Sequence, residues 1–228
     1  MRTVGSEHIT FRITKHINMK EEHKIPKWLE WAREIQELSQ TGLAFATTKY
    51  EKQRYTRQLE IVAEIIAEHT QLERDSIKKE MMELPGYATP KVDVRAAVIK
   101  DDKILLVQER TDNRWALPGG WADVGNLPSE VAIRETKEES GYDVKPVKII
   151  GVFDANRQGG QLEFFHAFKI IFLCELIGGE AKTSDETMDV RFFSFDDLPP
   201  FSQNRTNDKH INEIIAHLKD PQRKAYFD

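Results

Sequence analysis

The chain has 228 residues, 39% of them hydrophobic and 31% charged, which is ordinary for a globular protein of one large domain or one domain with a small companion. A formal net charge of −5 argues against a nucleic-acid partner, and no apolar run approaches the roughly 20 residues that span a membrane. The N-terminus lacks the apolar core of a signal peptide. Cys174 is the only cysteine and cannot form an internal disulfide. We therefore expect a cytoplasmic protein without a membrane partner.

Residues 1–25 are polar and without clear periodicity, which predicts a loose extension before a small helical N-terminal domain at residues 26–84. Three helices are expected in this domain. In the first two, apolar side chains recur at helical spacing: Trp28, Trp31, Ala32, Ile35 and Leu38, then Tyr55, Leu59, Val62 and Ile66. The third, DSIKKEMMEL, stops before Pro85, and the prolines and glycine of residues 85–91 predict a linker.

Residues 92–228 have an α+β pattern. The stretch VDVRAAVIKDDKILLVQER predicts two strands around a polar turn. Pro128 and Ser129 can begin a helix that runs to Ser140, and Gly141 can end it in the left-handed conformation. Asn207 can cap a final helix. Further strands are expected at residues 144–154, 162–176 and 189–195.

The predicted helix after Pro128 is unusually acidic. Glu135, Glu138 and Glu139 lie at i, i+3 and i+4, which places their carboxylates on one helical face. Like charges at this spacing repel each other, but a hard divalent cation reverses the sign of the effect. An ordinary solvated acidic face, neutralised by Arg134 and Lys137, is the alternative interpretation of the same residues.

The residues around this helix distinguish the two interpretations. The order Gly120, Arg134, Glu135, Glu138, Glu139, Gly141 resembles the signature of the Nudix hydrolases, Gly-x5-Glu-x7-Arg-Glu-U-x-Glu-Glu-x-Gly-U, where U is apolar. The spacing is kept from Gly120 to Tyr142, with Thr136 and Tyr142 at the two U positions. The helical front part and NRTNDKHI resemble a subgroup of the family that includes enzymes acting on ADP-ribose and CDP-choline.

The resemblance implies a Nudix fold, a mixed β-sheet between helices in an α/β/α sandwich. It implies a Mg²⁺-dependent pyrophosphohydrolase, with Mn²⁺ as a possible substitute, that cleaves a nucleoside diphosphate linked to a second group, X, into a nucleoside monophosphate and phospho-X. The implied metal ligands are Gly119, Glu135, Glu138 and Glu139. Arg134 would orient the carboxylates. Related enzymes are commonly homodimers, so a second copy of the chain is an expected partner.

Two catalytic questions stay open in the sequence. The general base is either a signature glutamate, such as Glu135 or Glu139, or Glu186 in the later loop TSDETMD. Asn126 stands where the family has its first glutamate, which removes one charge, and Asp123 lies close enough in sequence to replace it. A nucleotide-binding regulator that has lost turnover through Asn126 is therefore the alternative function.

Substrate recognition is predicted only in outline. The segment at residues 154–168 can form a loop over the pocket, in which Arg157 is a candidate for contact with a phosphate and Phe164 or Phe165 for stacking on a base. An ordinary surface or core position is the alternative for each of them. Arg205 in QNRTND is a further candidate for contact with substrate.

Overall fold

A computed structural model describes residues 25–83, 86, 89–155 and 166–228. The described chain divides into two compact units. The sheet unit contains residues 92–153 and 169–228, and the helical unit contains the N-terminal helices with Lys91, Asp154, Ala155 and residues 166–168. Residues 1–24 of the expected extension, residues 84, 85, 87 and 88 at the expected linker, and residues 156–165 lie outside the described ranges. The proposed domain boundaries therefore stay predictions.

Three N-terminal helices are present as expected, α1 (Lys27–Phe45), α2 (Lys49–His69) and α3 (Arg74–Glu83). Thr48 caps α2, because its hydroxyl accepts the Glu51 N–H and the Glu51 carboxylate accepts the Thr48 N–H. A common apolar cluster joins the three helices: Ala32, Leu59, Val62, Ala63, Ile66, Ile77 and Met81. The predicted α2 face is confirmed at Leu59, Val62 and Ile66.

The predicted face of α1 is wrong in part. Leu29 and Ala32 are its buried apolar residues, whereas Trp31 and Leu38 are 55% and 63% exposed. Trp28 packs against the cluster and stacks on His69 with ring centroids 4.4 Å apart. The apolar residues of α1 therefore form two stripes, and periodicity alone does not tell which stripe faces the neighbouring helices.

The unit of residues 92–153 and 169–228 is built on one sheet. Its strands are β1 (Lys91–Lys100), β2 (Lys103–Glu109), β3 (Trp115–Ala116), β4 (Gly119–Trp121), β5 (Tyr142–Asp154), β6 (Ala167–Gly179), β7 (Thr187–Ser194) and β8 (Tyr226–Phe227). The order is β3-β2-β1-β6-β5-β8, with β4 paired to β1 and β7 to β2. The sheet is mixed, because β1, β3 and β7 pair antiparallel to β2, β4 pairs antiparallel to β1, and β5 pairs parallel to β8.

The two remaining helices, α4 (Pro128–Ser140) and α5 (Asp208–Lys219), cover opposite faces of this sheet. Val131 and Ala132 of α4 pack with Leu105 and Val107 of β2. Another group of residues packs on the other face: Ile211, Ile214 and Ile215 of α5, with Ile104 and Leu106 of β2. Since successive strand residues point to opposite faces, β2 is buried on both sides, and the predicted α/β/α sandwich is confirmed.

Most predicted elements agree with the structure. The first two strands, the Asp101–Asp102 turn and α4 lie where the sequence places them, and Asn207 caps α5 by accepting the Lys209 and His210 N–H groups. The three later strands are displaced from the predicted bounds by a few residues, and residues 162–165 of one prediction lie outside the described ranges. Cys174 is buried in β6. No helix in the described ranges is long and apolar enough to cross a membrane.

Candidate active site

The acidic helix α4 is held with one face against the sheet. It begins at Pro128, where the Glu130 carboxylate accepts the Leu127 N–H at 3.4 Å. It ends at Gly141, whose φ of 78° is left-handed and whose N–H bonds the Lys137 carbonyl. The inward face of the helix consists of five buried residues: Val131, Ala132, Thr136, Glu139 and Ser140. Glu139 is thus the acidic residue that the helix turns into the protein.

A glycine pair in β4 meets this helix. Gly119 pairs with Arg95 of β1, and its φ of 146° is strained for any other residue. A Cβ at Gly119 would also collide with the Val94 carbonyl. The Gly119 N–H donates to Glu139 Oε2 at 2.8 Å. Glycine at this position therefore lets the backbone approach the buried carboxylate closely enough to bond it.

Gly120 keeps open the space beside a second acidic residue. A Cβ added there would lie 3.0 Å from Glu135 Oε1. Arg134 orients the exposed side of the cluster, with its Nη1 2.8 Å from Glu135 Oε1 and 3.2 Å from Glu138 Oε2. Glu138 itself points outward. The structure thus brings Glu135 and Glu139 to the glycine pair and leaves Glu138 at the rim.

The electrostatics of the inner carboxylates favour a cation. The pKa of Glu139 is raised to about 8, chiefly by burial and also by the Glu109 and Glu135 carboxylates, against the opposing charge of Arg95 and the Gly119 hydrogen bond. Burial also raises the pKa of Glu135, with contributions from Glu138 and Glu186. A bound cation would compensate this crowded negative charge, so the residues present fit a divalent metal ion.

The described side chains alone do not form a complete set of metal ligands. Among the described residues no three or more acidic, histidine or cysteine side chains are gathered so that they could hold one metal ion. Protein carboxylates commonly share a Mg²⁺ shell with water and substrate phosphates. One or two inward carboxylates can therefore serve such an ion without a closed protein cage.

Sequence reasoning missed a buried charge network beneath the glycine pair. Arg95 Nε donates to Asp93 Oδ1 at 2.7 Å, and Lys169, almost completely buried, donates to Asp93 Oδ2 at 2.5 Å. Burial opposes ionisation of Asp93, but the charges and hydrogen bonds of Arg95 and Lys169 outweigh it and lower its pKa to about 2. Asp93 and Arg95 at i and i+2 of an apolar strand were the available signal, because they share one face of β1.

Glu109, the last residue of β2, was also missed. It is 5% exposed, and its Oε1 lies 3.1 Å from Arg205 Nε without forming a hydrogen bond of good geometry. Burial raises the pKa of Glu109, partly offset by Arg205 and Arg95. The predicted substrate residue Arg205 therefore lies at the acidic site, but its partner is a residue that the signature does not include.

The other predicted residues lie in surface loops. Glu186 is exposed, its N–H donates to Ser184 Oγ, and its charge acts on Glu135 and Glu109. Asn126 is exposed and accepts the Asp123 N–H through Oδ1 at 3.3 Å. Asp123 raises the pKa of Arg134, so its charge reaches the rim of the cluster. Two predicted substrate residues, Arg157 and Phe165, lie outside the described residues.

Comparison with known proteins agrees with this architecture. Residues 89–218 match the NUDIX domain, and residues 26–80 match a UDP-X-like N-terminal oligomerisation domain. A putative ADP-ribose pyrophosphatase of Bacillus subtilis (strain 168) is 37% identical over 202 residues, which cover 89% of this chain and 97% of that protein.

Two solved structures extend the comparison. A UDP-X diphosphatase is 30% identical with a TM-score of 0.58, covering 88% of this chain and 98% of that one. An ADP-ribose pyrophosphatase from Streptococcus suis 89-1591 is 36% identical with a TM-score of 0.56, covering 61% of this chain and 100% of that one.

The sandwich with its acidic helix against a glycine pair is that of a hydrolase acting on diphosphate bonds. The chain belongs to the Nudix hydrolase family and carries a UDP-X-like N-terminal domain. Members of this family generally use divalent metal ions, which agrees with the crowded carboxylates at Glu135 and Glu139.

Proposed function

We propose that the protein is a Mg²⁺-dependent pyrophosphohydrolase, able to use Mn²⁺, that cleaves ADP-ribose or a related nucleoside diphosphate-X into a nucleoside monophosphate and phospho-X. The observation that carries the proposal is Glu139, buried on α4 and bonded to the Gly119 N–H in a position where its pKa rises to about 8. A buried carboxylate with a raised pKa is typical of a functional site.

In this proposal the signature residues hold the metal. Glu135, Glu138, Glu139 and the Gly119 carbonyl would be its ligands, and Arg134 keeps the outer carboxylates in place through its contacts at 2.8 and 3.2 Å. When bound, the cation neutralises the diphosphate and acidifies a coordinated water. Glu138, which is exposed beside Arg134, would be the outermost of these ligands.

Glu186 is our proposed general base. Its backbone is fixed by the hydrogen bond to Ser184 Oγ and by the Arg110 N–H, which donates to the Glu186 carbonyl at 3.0 Å. Its side chain stays exposed next to Glu135 and Glu109, where it can accept a proton from water. The signature glutamate Glu139 is the alternative base. A Glu186→Gln variant that keeps the wild-type rate and pH profile would assign the role to a signature glutamate, Glu139 or Glu135.

The substrate class rests on the relatives and on Arg205. ADP-ribose occurs in the names of two similar proteins and a UDP-X activity in that of a third. CDP-choline enters only through the sequence resemblance of the helical front part to a subgroup that includes enzymes acting on it. Arg205 is about one-third exposed beside the acidic cluster, so its guanidinium can contact a substrate phosphate. Arg157 and Phe165 remain proposed contacts to phosphate and base.

A substrate panel tests the proposal. The protein is incubated with Mg²⁺ or Mn²⁺ and ADP-ribose, a UDP-sugar or CDP-choline, and kcat/KM is measured from the release of nucleoside monophosphate. We expect ADP-ribose to be hydrolysed fastest. Binding of these nucleotides without turnover of any would favour the nucleotide-binding regulator, in which Asn126 replaces the family glutamate.

We also propose that the protein is a cytoplasmic homodimer. On α1, Trp31, Leu38 and Phe45 recur every seven residues and are 55%, 63% and 77% exposed, and Tyr50 at the start of α2 is 72% exposed. These four residues, the α1 stripe, expose roughly 400–600 Å² of mostly apolar surface per chain, given about 150–250 Å² for each whole aromatic side chain. Monomers rarely expose a larger apolar patch.

A second copy of the chain fits this surface. The helices match an oligomerisation domain, and two copies of the α1 stripe would supply roughly 800–1,200 Å² of the about 1,200–2,000 Å² that a specific interface buries. The cytoplasmic location is proposed because the only cysteine is buried and unpaired.

Sedimentation at micromolar concentration tests the dimer. Leu38→Glu introduces a charge into the middle of the α1 stripe and is expected to yield monomers. Leu72→Glu is a matched control, because Leu72 is 49% exposed in the turn between α2 and α3, outside the stripe. A monomeric wild-type protein would contradict the proposed dimer. A dimeric Leu38→Glu variant would exclude the α1 stripe as the dimer interface.

A further inference from the structure

Glu109 is buried through the way β2 ends. The pairing of β2 with β7 is regular from Lys103–Ser194 to Gln108–Asp189. It then shifts by one residue on β7, so that Glu109 pairs with Thr187. Such irregularities re-aim side chains at sheet ends and often lie beside active sites. Strand alternation places Glu109 on the face of Leu105 and Val107, which is the face covered by α4.

This register brings Glu109 next to Glu139. Thr187, its partner in the ladder, donates its hydroxyl hydrogen bond to the Glu139 backbone carbonyl at 2.9 Å. Among the acidic groups that act on Glu139, Glu109 has a larger effect than the signature residue Glu135. Two buried carboxylates from different elements, β2 and α4, therefore share one region of the site and act on each other's charge, although only one belongs to the family signature.

The groups that oppose Glu109 leave its charge incompletely compensated. Arg95, which acts on both Glu109 and Glu139, is already bonded to Asp93. Arg205 lies 3.1 Å from Glu109 Oε1, but that oxygen has no hydrogen bond from any described residue, and Arg205 Nη1 donates instead to Ser202 Oγ at 3.1 Å. A buried carboxylate oxygen without a hydrogen bond is costly unless another ligand takes it.

We infer that Glu109 is a metal-binding carboxylate of this site, which shares a divalent cation with Glu139, and that Arg205 competes with that cation for the Glu109 carboxylate. The inference rests on the proposed metal-dependent function. One or two carboxylates, completed by water and substrate phosphates, suffice for Mg²⁺. Arrival of the ion would free Arg205 to contact the substrate.

Mn²⁺ binding to metal-free protein tests this without relying on turnover. Free Mn²⁺ is followed by electron paramagnetic resonance at pH 8 for wild type, Glu109→Gln, Arg205→Met and the control Glu175→Gln, an exposed residue of β6. We expect Glu109→Gln to weaken binding about tenfold or more, the scale of a lost group at a metal site. Arg205→Met should bind at least as tightly as wild type, because it removes the competing cation. Glu175→Gln should match wild type.

The outcomes separate this inference from the proposed function. If wild type and Glu109→Gln bind Mn²⁺ equally while substrate is hydrolysed, Glu109 is not a ligand and the proposed function stands. If wild type binds no Mn²⁺, the metal-dependent function itself fails. Cooperative melting in EDTA checks the fold of each variant. If Glu109→Gln does not fold, the Arg205→Met variant tests the inference instead. Weaker Mn²⁺ binding by Arg205→Met than by wild type would overturn the proposal that Arg205 competes with the metal for Glu109.

Discussion

Replacing Glu139 by glutamine tests both the chemistry and the electrostatics of the site. Glutamine keeps the size of the side chain and an oxygen that can accept the Gly119 N–H, but it removes the charge that would hold the metal. We expect kcat to fall at least about a hundredfold at saturating Mg²⁺, the scale of losing a catalytic group.

The same substitution should stabilise the metal-free protein at high pH. The pKa of Glu139 is about 8 against an ordinary value of 4.5, so the folded state binds the proton more tightly than the unfolded state. Stability from this group is therefore full below pH 4.5 and is lost as pH rises to 8. At about 1.36 kcal/mol per pH unit, the loss is at most roughly 5 kcal/mol, and glutamine avoids it.

Urea unfolding in EDTA at pH 5 and pH 9 measures this effect. Glu139→Gln and wild type should differ little at pH 5, and the variant should be the more stable at pH 9. Glu175→Gln serves as the control for loss of an exposed charge. Near-normal activity of Glu139→Gln would refute the assignment of Glu139 as a metal ligand. Equal stability of Glu139→Gln and wild type at both pH values would refute the raised pKa of Glu139 in the folded protein.

Three further substitutions test other parts of the site. Asn126→Glu restores the family charge and should lower the Mg²⁺ concentration for half-maximal rate; an unchanged value would place Asn126 outside the field of the metal. Gly119→Ala forces a side chain into the Val94 carbonyl at a positive φ and should cost at least about 1–3 kcal/mol in urea unfolding, whereas wild-type stability would contradict the close approach. Arg205→Lys keeps the charge but loses the planar fork, so KM for substrate should rise more than kcat falls; an unchanged KM would exclude substrate contact.

The parts of the fold that sequence predicts are those with a local signal. The spacing of Glu135, Glu138 and Glu139 and the glycine at the end of the helix are readable without tertiary contacts, because helical geometry and capping depend on neighbouring residues. The capping of α5 by Asn207 is also a local interaction, because the side chain bonds backbone N–H groups two and three residues further along the chain.

The parts that sequence misses depend on register between distant elements. Glu109 reaches Glu139 only because β2 pairs with β7 and the pairing shifts at its end. Lys169 is separated from Asp93 by 76 positions along the chain and meets it only in the folded sheet. The prediction of the buried face of α1 was wrong in part for a similar reason. The helix has two apolar stripes, and its packing partners determine which one is buried.

The most direct test of the account follows the products of a single substrate. Protein freed of metal with EDTA is mixed with ADP-ribose, and phosphorus NMR is recorded before and after Mg²⁺ is added in excess. We predict no reaction before the addition, and afterwards AMP and ribose phosphate in equal amounts, with Glu139→Gln at least about a hundredfold slower. Cleavage at full rate in EDTA, or by Glu139→Gln at the wild-type rate, would contradict it.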